Sequence, residues 1–567
     1  MKAHVAESRD GFTLKVYCGD RSSLLAFDLD AGHPDRPRLA GFAVTVTGPD
    51  GRPRTLANRL SFLSSYTSRT TAADREWTPS DQAPFQKFRW SDFPPATLPG
   101  TYRYAATAML FGAGATDSDP RLEPGPTVAT DVQLVGETHE HFEVALTRGY
   151  LSSQAYAETF KNADIRPPGP KTIDYDTTPF RAQYEWLGGH ARELLFRILG
   201  EATRDPSVEV DAFTYDLDEP DVIKALASLG RRLRVYQDNA SLHVGASAME
   251  PKALAVFREA GAAVETGHFR RFQHNKVLIL KRGGRAYKVL AGSANFSVRG
   301  LYVQANNVFV YDDPSVASLC SQAFDEAWGS AASFARSTVA ARYFPFSGAG
   351  IPTGKVAFSP HTSASVSLGD VSAAIKGAKS SLLFAVMELG GGGDVLAGLR
   401  KAYTRKNILS LGVTQAIAAN GSQKGSRVYT SSSSGILVPF AALDKNVPEP
   451  FRKEWSGGMG QVIHDKFVVV DFNDTDPVVF AGSSNLAEGG EVSNGDNLVA
   501  TTDRLVVSLY AVEAIRLVDH YAFRAALHGA KSATPLALQG PSAAAPWWVP
   551  YYDPKSRKSR ERALLAR

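Results

Sequence analysis

At 567 residues, with 62 Lys and Arg against 58 Asp and Glu and a formal net charge of +4, the chain can hold several cores, and its mild charge does not require a polyanionic partner. Its two cysteines, Cys18 and Cys320, make neither a disulfide framework nor a zinc site. The opening MKAHVAESRDG lacks the apolar core of a signal peptide and no run approaches a membrane span, so a cytoplasmic protein is expected.

Residues 1–165 carry no catalytic pattern. Short apolar or alternating runs at 14–17, 24–29, 42–46, 102–110, 128–135 and 142–146 are separated by turns such as Gly48-Pro49-Asp50-Gly51. That rhythm predicts an immunoglobulin-like β-sandwich. The aromatic stretch 85–93 (FQKFRWSDF) reads as core packing or docking onto the next domain. His139 and His141 form an H-x-H pair with no third metal ligand in view.

A proline-rich linker at 166–176 leads into alternating helices (183–202, 220–229, 251–260) and strands (208–215, 233–236). This alternation predicts a largely parallel, helix-flanked sheet over 175–345. A second such unit, 350–530, opens with helix 369–378, strand 382–387, helix 394–403 and strand 408–413. The segment 348–355 (GAGIPTGK) resembles a phosphate loop only superficially. It is one residue too long, and Val356 stands where Ser or Thr is needed, so it reads as a linker. The Ser/Gly-rich stretch 418–435 is the natural insertion point of the second unit, as a loop rimming the site. Residues 512–527 read as a closing helix, and 531–567 as a C-terminal tail. In that tail WWVPYY (547–552) is expected to pack back on the body. The terminus, 555–567, with six basic residues and one acid, reads as frayed and solvated or else as a phosphate or anionic-membrane contact.

Within the second unit the stretch 463–485 reads IHDKFVVVD, a polar turn, then VVFAGSSN. Two short apolar strands there flank a turn, and His464 and Lys466, two apart, share one strand face. The first unit carries QHNKVLILK, a basic turn, then VLAGSAN at 273–295. His274, Lys276, Gly292, Asn295 and Asn307 recur at His464, Lys466, Gly482, Asn485 and Asn497, all at an offset of 190. The offset between Asp221 and Asp394 is only 173, so the insertion in the second unit lies between Asp394 and His464. This is an internal repeat.

H-x-K-x4-D followed by G-S-x-N resembles the signature of the phospholipase D superfamily, in which two copies build one active site. The resemblance covers roughly residues 175–527. The first copy departs from it, with Lys281 where the second has Asp471. Superfamily members that cleave DNA–protein adducts also lack that aspartate. The implied fold is α/β: two tandem phospholipase D-like repeats forming a pseudo-dimer behind the N-terminal β-sandwich. Both motifs lie in one chain, so a monomer is expected.

A phosphodiester resists hydrolysis because its oxygens repel a nucleophile and its alkoxide leaves poorly, so a site must neutralise charge, attack and donate a proton. Lys276 and Lys466 suit the first task. Asn295 and Asn485, with Ser293 and Ser483, suit orientation of the phosphate. The resemblance implies a metal-independent, cofactor-free route through a covalent phosphohistidine on His274 or His464. Asp496 is expected to hold the Nδ1–H of His464, with neutral Asn306 beside His274, which makes His274 the nucleophile and His464 the acid/base. A carboxylate would equally stabilise a cationic phosphohistidine, which argues the other way. Asp471 reads as a brace for the hairpin. The substrate readings are three: a phospholipid, hydrolysed or with its headgroup transferred, with 268–272 and the loop near 435–440 as an amphipathic rim and transient membrane contact; a nucleic acid; or a non-catalytic lipid- or nucleic-acid-binding module.

Overall fold

A computed structural model of the chain describes residues 2–66, 77–94, 98–135, 138–149, 153–417, 424–430, 433–439, 463–529 and 536–566. Two four-stranded sheets occupy the N-terminal region. One runs in the order His4–Arg9, Phe12–Gly19, Ser22–Leu29, Arg89–Asp92, and the other Leu122–Val135, Gly100–Phe111, Leu39–Thr47, Pro53–Thr55. Alternating positions of both sheets (Phe12, Leu14, Phe27, Phe42, Tyr104, Val132) meet in one core. The aromatic stretch contributes Phe85 and Phe88 to it, with Trp90 stacked on Phe85 at 3.7 Å between ring centroids.

The strand Phe142–Leu146 does not join these sheets. It pairs antiparallel with Asn307–Tyr311, at the edge of the first catalytic sheet. The region expected to end at 165 therefore gives its last strand to its neighbour. Phe142 and Val144 pack there with Tyr311 and Leu195 in a core of their own kind.

Each motif-bearing unit is built on a mixed sheet with a common strand order. In the first, Asn307–Tyr311, Arg285–Gly292, Val277–Arg282, Val208–Thr214, Leu233–Asp238 and Ala263–Gly267 are neighbours in turn. In the second the sequence is Asn494–Thr501, Val478–Gly482, Phe467–Val470, Ser381–Glu388 and Leu409–Ile417. The sheets are mixed because the motif hairpins run antiparallel, while the strand–helix–strand crossovers before them run parallel. Part of the Ser/Gly-rich stretch is not a loop: Lys424–Thr430 and Ser433–Pro439 form an antiparallel hairpin that extends the second sheet. Residues 418–423 and 440–462 lie outside the described residues, as does the tip of the expected rim at Phe440.

The helix Arg504–Gly529 lies between the second sheet and the N-terminal strand Phe12–Gly19, with buried Leu509, Val512, Ile515 and Tyr521. Asp519 on this helix pairs with Arg89, tying the aromatic stretch to the catalytic body. The terminus is folded rather than frayed. Trp547 and Tyr551 enter the N-terminal core, and the helix Arg557–Ala566 buries Leu565 fully and brings Arg562 onto Asp28. Its apolar residues are gathered in the last turn and Arg562 is buried on Asp28 and over the Tyr552 ring, so charge count alone misjudged it. No described helix is long and apolar enough to cross a membrane.

Candidate active site

The two motif hairpins meet through their backbones. Phe272 and Gln273 pair with Asn494 and Gly495 of the other unit, and Ala305 bridges Ile463, which is the same contact 190 residues on. His274 N–H donates to the Gly495 carbonyl (2.8 Å) and His464 N–H to that of Ala305 (3.1 Å). These exchanges bring the imidazoles to 6.4 Å between centroids. The glycine of each G-S-x-N makes this approach possible. At Gly292 and Gly482 φ is +149° and +159°, and a Cβ would meet the carbonyl oxygen of Asn307 or Asn497 at 2.3 Å.

Each histidine is oriented from the opposite unit. His274 Nδ1 lies 2.7 Å from Asp496 Oδ1, and His464 Nδ1 lies 2.8 Å from Asn306 Oδ1. This reverses the expected pairing, in which Asp496 serves His464 and Asn306 serves His274. The reason is topological: the strands carrying the two orienting residues end against the partner unit's histidine, so neighbours in sequence are not neighbours in space. Asn306 Nδ2 donates to the Gly300 carbonyl, which fixes its Oδ1 as an acceptor. A carboxylate can only accept. Both imidazoles therefore carry their proton on Nδ1, leaving each Nε2 with a lone pair. Ser293 Oγ donates to Asn306 Oδ1 (2.8 Å) and Ser483 Oγ to Asp496 Oδ1 (2.7 Å), so the motif serines hold the orienting side chains.

Lys276 and Lys466 are both buried and each donates back to the carbonyl of its own histidine. Burial pushes Lys276 down to about 7 and Lys466 well below its usual value, the latter also through the neighbouring Lys276 ammonium. Burial and the two lysines likewise hold His274 and His464 well below the ordinary imidazole value. Burial raises Asp496 to about 7. Burial and mutual repulsion thus hold four basic groups short of full protonation, and an anion entering among them would favour their charged forms.

Asn295 and Asn485 differ. Asn295 Nδ2 donates to Asp216 Oδ2 (2.7 Å), and Asp216 continues to His243 Nε2 (3.1 Å), whose Nδ1 meets Asp238 Oδ2 (2.7 Å). Asp238 also accepts from the N–H of Gln273 (2.6 Å), next to His274. The two carboxylates outweigh burial and lift His243 to about 9. Tyr215 packs edge-on against both His274 and His243, and Lys276 lies over its ring. At the position matching Asp216, the second unit has Leu389.

This network was not anticipated from the sequence. Its residues are scattered from 215 to 243, and the only available signal was that Asp216 lies two residues past the C-terminal end of the strand Val208–Thr214. Asp216, His243 and Glu250 also lie close enough to hold a metal ion. Both imidazole nitrogens are already engaged by carboxylates, however, and Glu250 accepts the Leu217 N–H, so a cation would have to displace existing partners.

Asp471 lies away from the cleft. Its carboxylate accepts the backbone N–H groups of Lys379, Ser380 and Ser381 at 2.7–3.0 Å, closing the turn into Ser381–Glu388. Lys281, its counterpart, instead pairs with Asp211, which also holds Arg234. Among the described residues His139 and His141 belong to no group of three possible metal ligands; His139 faces Asp503 at 3.1 Å.

No protein-family model matches the chain. The mitochondrial cardiolipin hydrolase of Chlamydomonas reinhardtii is 33% identical over 130 residues, covering 23% of this chain and 54% of that protein, so the chain spans about half the length of this relative. Among solved structures, Nuc of Salmonella typhimurium, titled a phospholipase D family member, is 21% identical over 24% of this chain and 86% of its own, with a TM-score of 0.21. Phosphatidylserine synthase of Haemophilus influenzae Rd KW20 is 12% identical over 58% of this chain and 84% of its own, with a TM-score of 0.38.

Proposed function

Because the chain belongs to the phospholipase D superfamily, we propose that it is a phosphoric diester hydrolase whose two tandem units act as a pseudo-dimer, behind an N-terminal β-sandwich, with a phospholipid as substrate. The observation that carries this reading is the meeting of two His–Lys pairs in one buried site.

His274 is the nucleophile in this proposal. Its Nε2 lone pair forms a bond to phosphorus as the bond from phosphorus to the leaving oxygen breaks. The product is a phosphohistidine whose ring is cationic, and the Asp496 carboxylate across its Nδ1–H stabilises that charge. The sequence argument reached the same nucleophile from the opposite pairing, so the assignment now rests on carboxylate stabilisation of the intermediate.

His464 supplies the proton to the leaving oxygen from Nε2. It faces a neutral amide, so its imidazolium is the stronger acid. Burial, together with the two lysines, opposes that protonation. A bound phosphate offsets their charge, and His464 takes up its proton as substrate binds. In the second step His464 removes a proton from water, which attacks phosphorus and releases His274. Lys276 and Lys466 neutralise the nonbridging oxygens, and Asn295 and Asn485 donate to them. No step calls on a metal or other cofactor.

The lipid reading is supported by the match to a protein named as a cardiolipin hydrolase. Wild type, His274→Ala and His464→Ala are incubated with cardiolipin vesicles, phosphatidylcholine vesicles, and single- and double-stranded DNA, in excess EDTA. Lipid phosphodiester cleavage by wild type, lost in both variants, is the expected result. Cleavage of DNA alone would move the chain to the nuclease reading, and turnover that EDTA abolishes would sink the metal-independent route.

A further inference from the structure

The strand Leu233–Asp238 leads out of the first sheet beside the cleft into the segment 239–248. Here two aliphatic side chains stand in solvent, Leu242 at 56% and Val244 at 57% exposure, while His243 between them is 4% exposed. The buried imidazole is clamped between Asp216 and Asp238, and Asp216 holds Asn295 of the catalytic motif. The segment is therefore pinned to the active site by its middle residue, with its flanking aliphatics turned outward. Beside it runs the stretch before the first motif histidine. Asp238 pairs with Gly267, and His268 Nδ1 contacts Asn239 Oδ1. From there the chain exposes Arg270 and Arg271 while burying Phe269.

We infer that this rim, with Leu242 and Val244 as the apolar contacts and Arg270 and Arg271 as the charged ones, docks the cleft onto an anionic phospholipid bilayer. The inference deepens the lipid reading of the active site and rests on it. The physical case is complementarity. Apolar side chains held proud of a fixed backbone gain by entering the acyl boundary, where nothing must first be ordered. Arginines beside them meet the negative potential of the headgroups. A nucleic acid would satisfy the arginines, but it offers isolated aliphatic side chains little, because its groove-facing backbone is charged and its bases stack on aromatic rings. A phosphodiester at such a surface also lies next to His274, two residues past Phe272.

The test uses the full chain and vesicles of phosphatidylcholine alone or mixed equally with phosphatidylglycerol, with binding measured by co-sedimentation and folding by thermal melting. Turnover of dihexanoyl phosphatidylglycerol, kept below its micelle concentration, reports the cleft independently of any surface. The expected result is wild-type binding to the anionic vesicles, weakened about tenfold or more in Leu242→Ser/Val244→Ser, with unchanged melting and unchanged turnover of the dispersed lipid. Arg270→Gln/Arg271→Gln is expected to lose the preference for anionic vesicles. Absence of vesicle binding by wild type, or binding indifferent to the serine pair, overturns the inference. So does DNA binding that the arginine pair abolishes, if vesicles are left unbound. Vesicle binding that follows the expected pattern without cleavage of any lipid would keep the docking surface and remove the lipid-hydrolase reading.

Discussion

The two catalytic units repeat the same residues at the same spacing, yet they surround them differently. In the unit of His274 the imidazole faces a carboxylate, and the motif asparagine is tied through Asp216 to His243 and Asp238. In the unit of His464 the imidazole faces an amide, and a leucine occupies the position matching Asp216. A site with two equivalent histidines could attack from either side. One with a carboxylate behind a single histidine stabilises a covalent cation on that side only. In the proposed reaction, asymmetry of the surroundings, rather than of the motif, divides the labour.

The comparison is broken most severely at the histidines. Alanine at His274 or His464 is expected to lower turnover by about ten-thousandfold, with wild type quenched in alkaline denaturant carrying the phosphoryl adduct on His274. Phosphate trapped on His464 would reverse the roles. Next in size is Asp496→Asn, which makes the two sides alike. Loss of charge behind the phosphohistidine is expected to cost on the order of a hundredfold in kcat, with a smaller change in KM. The reciprocal Asn306→Asp should sharpen the picture by holding His464 protonated to higher pH, moving the alkaline limb of the kcat profile upward.

The lysines predict a pH dependence of binding. Lys276, held at about 7 by burial in the empty cleft, loses its proton as pH rises through that value, so inhibition by inorganic phosphate should weaken above pH 7. The unfolded chain keeps this lysine protonated up to about 10.4. Between those values it therefore binds more protons than the folded chain, and Lys276 contributes stability that rises with pH over that window. Lys276→Met should remove this slope in denaturant titrations and abolish phosphate inhibition. A slope that survives the substitution would point to other groups.

The smallest effect expected is at the aspartate that distinguishes the second motif. Asp471→Ala leaves three backbone N–H groups without their acceptor and should cost about 1–3 kcal/mol in denaturant unfolding, with kcat unchanged. A matching fall in kcat at constant stability would bring Asp471 into the reaction instead. Lys281→Ala should matter less, because Asp211 retains Arg234.

The sequence by itself determined the motif and its duplication. Period-two placement of His and Lys, the glycine required before each serine, and the common offset of 190 are local properties of the chain, and local sterics fix them. It also determined the alternation of helices and strands, because hydrophobic periodicity is written residue by residue. Only the tertiary structure decided which orienting residue meets which histidine, since Asp496 and His274 are 222 positions apart and meet through strands exchanged between units. The same holds for Phe142–Leu146, which pairs with a strand far along the chain, and for the C-terminal helix, whose burial depends on a surface built by the first hundred residues. Contacts at long separation leave no periodic trace, because the neighbours that stabilise them are brought in by topology.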